Sequence, residues 1–366
     1  MNIQMFVNKK KIYVVIGTRG QLIKMAPLMR NMQQEGIDYE FIYTSQHRET
    51  IDKLISDFQI KNPDKIIYSG FEANTRAKFL RWWLRMISKA LSPKEIFRER
   101  GVVLTHGDTA TTAWAAIVGK LAGSKVAHVE AGLRSFNLFK PFPEELMRLI
   151  TFHFSDVYFC PNEWAINNLK KYKGDKVNLG MNTLYDSVKI AINSNVRVDI
   201  PKEKYVVVSI HRFENIFTGR FENVIIPLLE MVSNEGFTLV FILHPPTREV
   251  LKKNDMKLYK RLQNNKKILL KERYSYFEFI KLLNGSEFVI TDGGSNQEEL
   301  SYLGKPALLF REVTERIEGL GENVVISSFD TKTVMEFLKK YKERQSSFKK
   351  VNESPSQVIV NYLKTL

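Results

Sequence analysis

Val102-Val103-Leu104-Thr105-His106-Gly107-Asp108-Thr109 is followed, one helix length later, by Val126-Ala127-His128-Val129-Glu130-Ala131-Gly132-Leu133-Arg134. Each stretch is a short apolar run that stops at a turn carrying a carboxylate. Runs of four or five such residues are too short for a buried helix and have the length of a strand covered on both faces. Two of them separated by a helical interval read as parallel strands of a β-α-β unit. Working outward, residues 12–16, 41–44 and 157–160 repeat the pattern in the first half. Residues 205–210, 239–243, 267–270, 288–291 and 307–310 repeat it in the second. The expected fold class is therefore α/β, with two doubly wound parallel sheets.

The length of 366 residues agrees with two cores at ~150 residues per domain. Residues 181–200 end in Asn193-Ser194-Asn195 ahead of Pro201, which suits a linker and sets the domain boundary near residue 190. Hydrophobic residues at 44% and charged residues at 26% exclude wholesale disorder. The net charge of +15 points to an anionic partner: nucleic acid, a membrane surface or a phosphorylated small molecule. The sole cysteine, Cys160, permits neither an internal disulfide nor a thiolate metal cluster. No apolar run suits a secretory signal or a membrane span, so a cytoplasmic location is expected.

Ligands of open parallel sheets sit at strand carboxyl ends, so strand-end residues are the candidates for chemistry. Arg19 follows the first strand in Gly17-Thr18-Arg19-Gly20, where a helix start favours an anion. Asp108 and Glu130 end two strands and would share one cleft, although Asp108 also suits a helix N-cap. Glu144 and Glu145 precede an amphipathic run, a position that equally suits partners of the helix dipole. His211-Arg212 and His244 end strands of the second half and suit phosphate binding or proton transfer. Gly293, Gly294 and Ser295 form a small-residue turn before a helix, which suits phosphate, and Glu299 one turn later could accept bonds from a ribose diol.

Several classes are disfavoured. There is no three-glycine dinucleotide fingerprint, no nucleoside-triphosphatase loop, no HExxH and no recognised nucleic-acid motif. His106, His128, His153 and Cys160 are read as structural, and neither a metal nor a redox cofactor is expected. The segment 76–91, opening on Arg76 and closing on Leu91, is an unusually aromatic and basic helix. It suits a peripheral membrane contact, a dimer interface or burial in the chain's own core.

Taken together, Gly17-Thr18-Arg19, Gln46-His47-Arg48, His106-Gly107-Asp108-Thr109, Val129-Glu130-Ala131-Gly132-Leu133-Arg134, Pro143-Glu144-Glu145, His211-Arg212, Gln297-Glu298-Glu299 and Thr314-Glu315-Arg316 resemble the UDP-N-acetylglucosamine 2-epimerase family. The motifs keep the family's order over residues 11–326. The resemblance implies two Rossmann-like domains of the glycosyltransferase-B type facing a cleft. Residues 1–190 would form the sugar side, 191–345 the UDP-binding domain, and 346–366 a helix returning to the first domain. It implies Asp108, Glu130, Glu144 and His211 as the catalytic group. Arg19, Arg134, Arg212, Gly293, Gly294, Ser295, Glu299 and Arg316 would contact UDP-sugar, with Phe277 near the base.

The implied reaction removes the proton at sugar C2 while UDP leaves C1, then returns both with inversion at C2, without a cofactor and for surface-polysaccharide precursors. A homodimer is expected, and no nucleic-acid partner. A hydrolysing relative, a modified UDP-sugar substrate and a membrane-associated glycosyltransferase of the same fold are the alternatives. The chain departs from the family at Gly20 and Gln21, where Pro and Glu are common, and at Ser295, which replaces a glycine. Gln46, His47, Arg48 and His244 match a second, activating site of bacterial members. The glycine-glutamine motif that accompanies it is reduced to Gly70-Phe71, so substrate activation is expected to be weak or absent.

Overall fold

A computed structural model describes residues 10–46, 51–70, 76–139, 142–254, 256–314 and 316–366. The chain divides into two compact units, Met1–Ser187 with Asn352–Leu366, and Val188–Val351.

The first unit holds β1 (Lys11–Ile16), β2 (Glu40–Tyr43), β3 (Lys65–Ile66), β4 (Gly101–His106), β5 (Lys125–Val129), β6 (Val157–Cys160) and β7 (Asp175–Asn178). They form one parallel sheet in the order β3-β2-β1-β4-β5-β6-β7. The second unit holds β8 (Tyr205–Ser209), β9 (Thr238–Ile242), β10 (Ile268–Lys271), β11 (Val289–Thr291), β12 (Ala307–Leu309) and β13 (Val324–Ile326), in the parallel order β10-β9-β8-β11-β12-β13. Both sheets reverse direction of strand addition beside their first strand, the arrangement of doubly wound dinucleotide folds. β4 and β8 are buried at every residue, as strands covered by helices on both faces must be.

The sequence pattern omits β3, β7 and β13. All three lie at or near sheet edges and have only two, four and three residues. An edge strand is partly solvated and needs no apolar run. The expected linker is also different: Leu184–Asn193 is a helix that runs through the unit boundary.

The C-terminal helix Pro355–Leu363 belongs to the first unit. Asp186 accepts a bond from the Ser356 backbone N–H at 2.8 Å, the Tyr362 ring packs edge-on against Phe159 at 5.4 Å, and Lys364 pairs with Glu35. No helix among the described residues is long and apolar enough to cross a membrane.

Candidate active site

In the first unit the strand order places the turns after β1 and β4 side by side at the switch point. Gly17 lies so close to Thr44 and Thr111 that a Cβ would fall 2.1 Å from Thr111 Oγ1, so only glycine fits. Thr18 caps the helix Arg19–Gln34, and Arg19 at its first turn has a buried Nε with no hydrogen bond among the described residues. Gln21 joins the two turns. Its Oε1 accepts from the Gly17 and Thr18 N–H groups at 2.9 and 3.1 Å, and its Nε2 donates to His106 O at 2.7 Å and Thr112 Oγ1 at 2.9 Å. A glutamate at this position could accept but not donate. Gln21→Glu is therefore expected to lower unfolding free energy by about 2–4 kcal/mol, measured by urea titration; a change within experimental error would refute this account of the turn.

Asp108 is not the helix cap, because Thr109 caps Ala110–Leu121 and bonds Thr112 N–H. The Asp108 carboxylate instead accepts from Arg148 at 2.5 Å. Glu130 ends β5 with φ of +63°, a left-handed conformation that costs a non-glycine residue energy and often marks a functional turn. Its carboxylate is held by Lys24, by Asn182 Nδ2 at 2.7 Å, and lies 3.2 Å from His106 Nε2. Glu144 begins the helix Glu144–Phe154, and its Oε2 is buried without a hydrogen bond among the described residues. Glu145 is wholly buried and accepts from Arg134, from Arg148 at 3.1 Å and from Ser135 N–H at 3.0 Å. Burial alone would raise the Glu145 pKa, but those three donors outweigh it and hold the carboxyl below its ordinary range.

The second unit has an equivalent junction, between β8 and β11. Asp292, fully buried, accepts from the backbone N–H groups of His211 at 3.0 Å and Arg212 at 2.9 Å, and from Asn215 Nδ2 at 2.9 Å. His211 Nδ1 sits 3.4 Å from the same carboxylate. Burial lowers the His211 pKa despite the pull of Asp292. The imidazole packs against His244 at 4.5 Å with the rings tilted by 38°, and burial, with His211 second, takes His244 down to about 4. Both rings are thus neutral near pH 7. Gly293 approaches His211 so closely that a Cβ would stand 2.9 Å from its Cε1.

Beyond the turn, the helix Gly294–Leu303 presents Glu298, whose oxygens hold Tyr302 OH at 2.8 Å and Arg316 at 2.6 Å. Gln297 Nε2 donates to the backbone oxygens of Arg316 and Glu318, which fastens the Arg316 segment to this helix. Glu299 is buried and receives Asn296 Nδ2 at 2.9 Å. The unit thus presents a glycine turn, a helix N-terminus and a braced arginine, a set able to hold a diphosphate.

A family model described as UDP-N-acetylglucosamine 2-epimerase matches residues 30–357. The chain belongs to the UDP-N-acetylglucosamine 2-epimerase family. The epimerase of Methanocaldococcus jannaschii is 33% identical over 340 residues, covering 88% of this chain and 90% of its own. Its solved structure in complex with UDP-GlcNAc and UDP superposes with a TM-score of 0.78 at 29% identity, over 97% of this chain and 99% of that one. The Neisseria meningitidis epimerase bound to UDP-GlcNAc gives 0.80 at 28%, over 97% and 100%. The fold is accordingly of the glycosyltransferase-B type found in UDP-N-acetylglucosamine 2-epimerases.

The structure distributes the sequence candidates as follows. Asp108, Glu130, Glu144 and Arg19 lie at strand ends or helix starts of the first unit, with Arg134 in the loop after β5; in the second unit His211, Arg212, Gly293, Gly294 and Ser295 lie at a strand end or helix start, Glu299 within the helix Gly294–Leu303 and Arg316 in the loop before β13. Arg134 is committed to Glu145 and Arg212 to Glu214. Phe277 is 1% exposed, in the helix Tyr276–Gly285 of the second unit. Gln46 accepts from Thr111 Oγ1 at 3.1 Å and His244 lies near Ser209 Oγ at 3.1 Å; His47 and Arg48 lie outside the described residues.

Lys24, Arg148, Asn182 and Asp292 escape the motifs that carry the resemblance. Lys24 and Arg148 sit within amphipathic helices, where a cation reads as surface unless the partner strand end is known. His106, which the sequence reads as structural, flanks Glu130.

His128 does behave as a core histidine. Its Nε2 donates to Gly107 O at 2.8 Å, and burial takes its pKa down to about 3. The folded chain thus refuses a proton that the unfolded chain takes below about pH 6.5. Its contribution is complete above that pH and is lost as pH falls towards about 3, at about 1.4 kcal/mol per pH unit. Replacing His128 by Gln, which keeps a donor for Gly107 O, should flatten the dependence of urea stability on pH by that slope. An unchanged slope would remove His128 as its source.

Proposed function

We propose that the chain converts UDP-N-acetylglucosamine to UDP-N-acetylmannosamine by eliminating and re-adding UDP. The observation that carries this reading is Asp108 and Glu130 after adjacent strands of one sheet, both held by cations, with Glu144 and its unspent oxygen at the start of the helix that follows. Proton removal from a carbon and return on the opposite face requires more than one acid or base, which a simple transferase does not.

In this reading Glu144 exchanges the C2 proton, while Arg148 and Lys24 hold Asp108 and Glu130 as carboxylates around the sugar. The C2–H bond breaks as the C1–O bond to UDP breaks, leaving a 2-acetamidoglucal. The charge that develops on the departing diphosphate meets donors of the second unit: neutral His211, the glycine turn and Arg316. UDP then adds back to C1 as a solvent-derived proton, relayed by Asp108 or Glu130, reaches C2 from the other face. A diphosphate retained by the second unit favours this return over attack by water.

Incubation with UDP-N-acetylglucosamine in heavy water, followed by NMR, tests the proposal. Deuterium at C2 and a manno epimer still linked to UDP are expected, with large losses in Asp108→Asn and His211→Ala. Free N-acetylmannosamine with UDP would replace it by the hydrolysing reaction, and no exchange at C2 would overturn it. The reduced second-site motif further predicts a hyperbolic rate against substrate concentration; a sigmoidal curve abolished by Gln46→Ala would contradict that expectation.

A further inference from the structure

Asn182 spends both ends of its amide inside the first unit. The residue is 4% exposed, its Oδ1 accepts from the Leu184 N–H at 3.1 Å, and its Nδ2 donates to Glu130 Oε2 at 2.7 Å. The first bond caps the opening turn of the helix Leu184–Asn193. Aspartate or serine would serve that cap equally well. A carboxylate accepts and cannot donate, so it is the bond to Glu130 that calls for an amide at this position.

The same Glu130 oxygen is shared. Lys24 Nζ pairs with it, and His106 Nε2 lies 3.2 Å from it. Arg148 and the buried, neutral His128 are also within electrostatic range of this carboxylate. Ser187 Oγ donates to Ile23 O at 2.6 Å, and Asp186 accepts from the Ser356 N–H at 2.8 Å. The segment 182–187 is thus pinned to the helix that carries Lys24 and to the C-terminal helix, which sets Asn182 and Lys24 against Glu130 from two elements. Glu130 has use for such bracing, because its left-handed backbone, at φ of +63°, is one that a side chain with a Cβ adopts only when its surroundings hold it there.

We propose that Asn182 is a positioning residue for the epimerisation, its amide N–H fixing the orientation of the Glu130 carboxylate beside the sugar. The inference rests on the function proposed above. Two variants separate the two ends of the amide. Asn182→Ser keeps a cap for Leu184 but loses the reach to Glu130. Its kcat for C2 exchange should fall about 10–10²-fold, with KM within about threefold of wild type because no group assigned to UDP is altered. Asn182→Asp keeps the cap and the shape but sets a second carboxyl against Glu130. The two then titrate as a pair with one proton held about two units higher, so the acid limb of the kcat profile should move to higher pH. A merely structural loss would lower the rate by one factor at every pH and leave the limb in place.

Carbon-13 NMR of labelled glutamate carboxyls, with the Glu130 signal identified by its loss in Glu130→Gln, gives a readout that needs no turnover. In Asn182→Asp that signal should gain a titration step at higher pH than in wild type. A full-rate Asn182→Ser would overturn the proposal, as would an Asn182→Asp in which neither the acid limb nor the Glu130 signal moves. If the wild-type chain exchanges no proton at C2, the epimerase reading falls by itself, and an unmoved Glu130 signal then removes the hold of Asn182 on Glu130 as well.

Discussion

Glu144→Gln should reduce turnover by about 10²–10⁴-fold while leaving urea stability within about 0.5 kcal/mol of wild type. Its Oε2 makes no hydrogen bond among the described residues, so the amide removes proton exchange without breaking a contact at that atom. The neighbouring Glu145→Gln should act through the fold. Glu145 is buried and holds Arg134, Arg148 and the Ser135 N–H, and loss of its charge leaves two arginines without their shared partner. A cost of about 3–5 kcal/mol follows, with the Asp108 partner Arg148 displaced as well. Measuring kcat and urea midpoints for both variants separates the roles. If Glu145→Gln were as stable as wild type and Glu144→Gln as active, the assignment of these adjacent acids would be reversed or wrong.

Asp292→Ala should have the largest effect in the second unit. One buried carboxylate collects the His211 and Arg212 N–H groups and the Asn215 amide, so its removal strands three donors at once. Each stranded group costs about 1–3 kcal/mol, which places the loss at several kcal/mol and near the limit of what a domain tolerates. Activity should vanish with it, because His211 and Gly293 both hang on this junction. Asp292→Asn keeps one accepting oxygen but turns an NH2 towards the donors, so it should recover part of the stability and little of the turnover. A stable, active Asp292→Ala protein would show that the turn is held by the backbone alone.

The contrast between Glu144 and Glu145 shows where sequence reading stops. Side by side at a helix start, the two acids have the same local signature. They differ only because one reaches Arg134 and Arg148 and the other does not. Lys24 is a similar case. Nothing near it in the chain indicates that Glu130, over a hundred residues away, is its partner. Gln21 was visible as a departure from the family, but its purpose was not, since the His106 carbonyl it bonds belongs to another strand.

Local pattern by itself determined the α/β class, two doubly wound units, and the presence of Asp108, Glu130, His211 and the glycine turn at strand ends. These follow from the period and length of apolar runs, which residues a few positions apart set among themselves. Tertiary structure alone decided that β1 adjoins β4 and β8 adjoins β11, and so which strand ends share a switch point. Strand order is a matter of sheet pairing between distant segments. The ion pairs that sort the carboxylates exist only once that pairing has brought their partners within hydrogen-bonding distance.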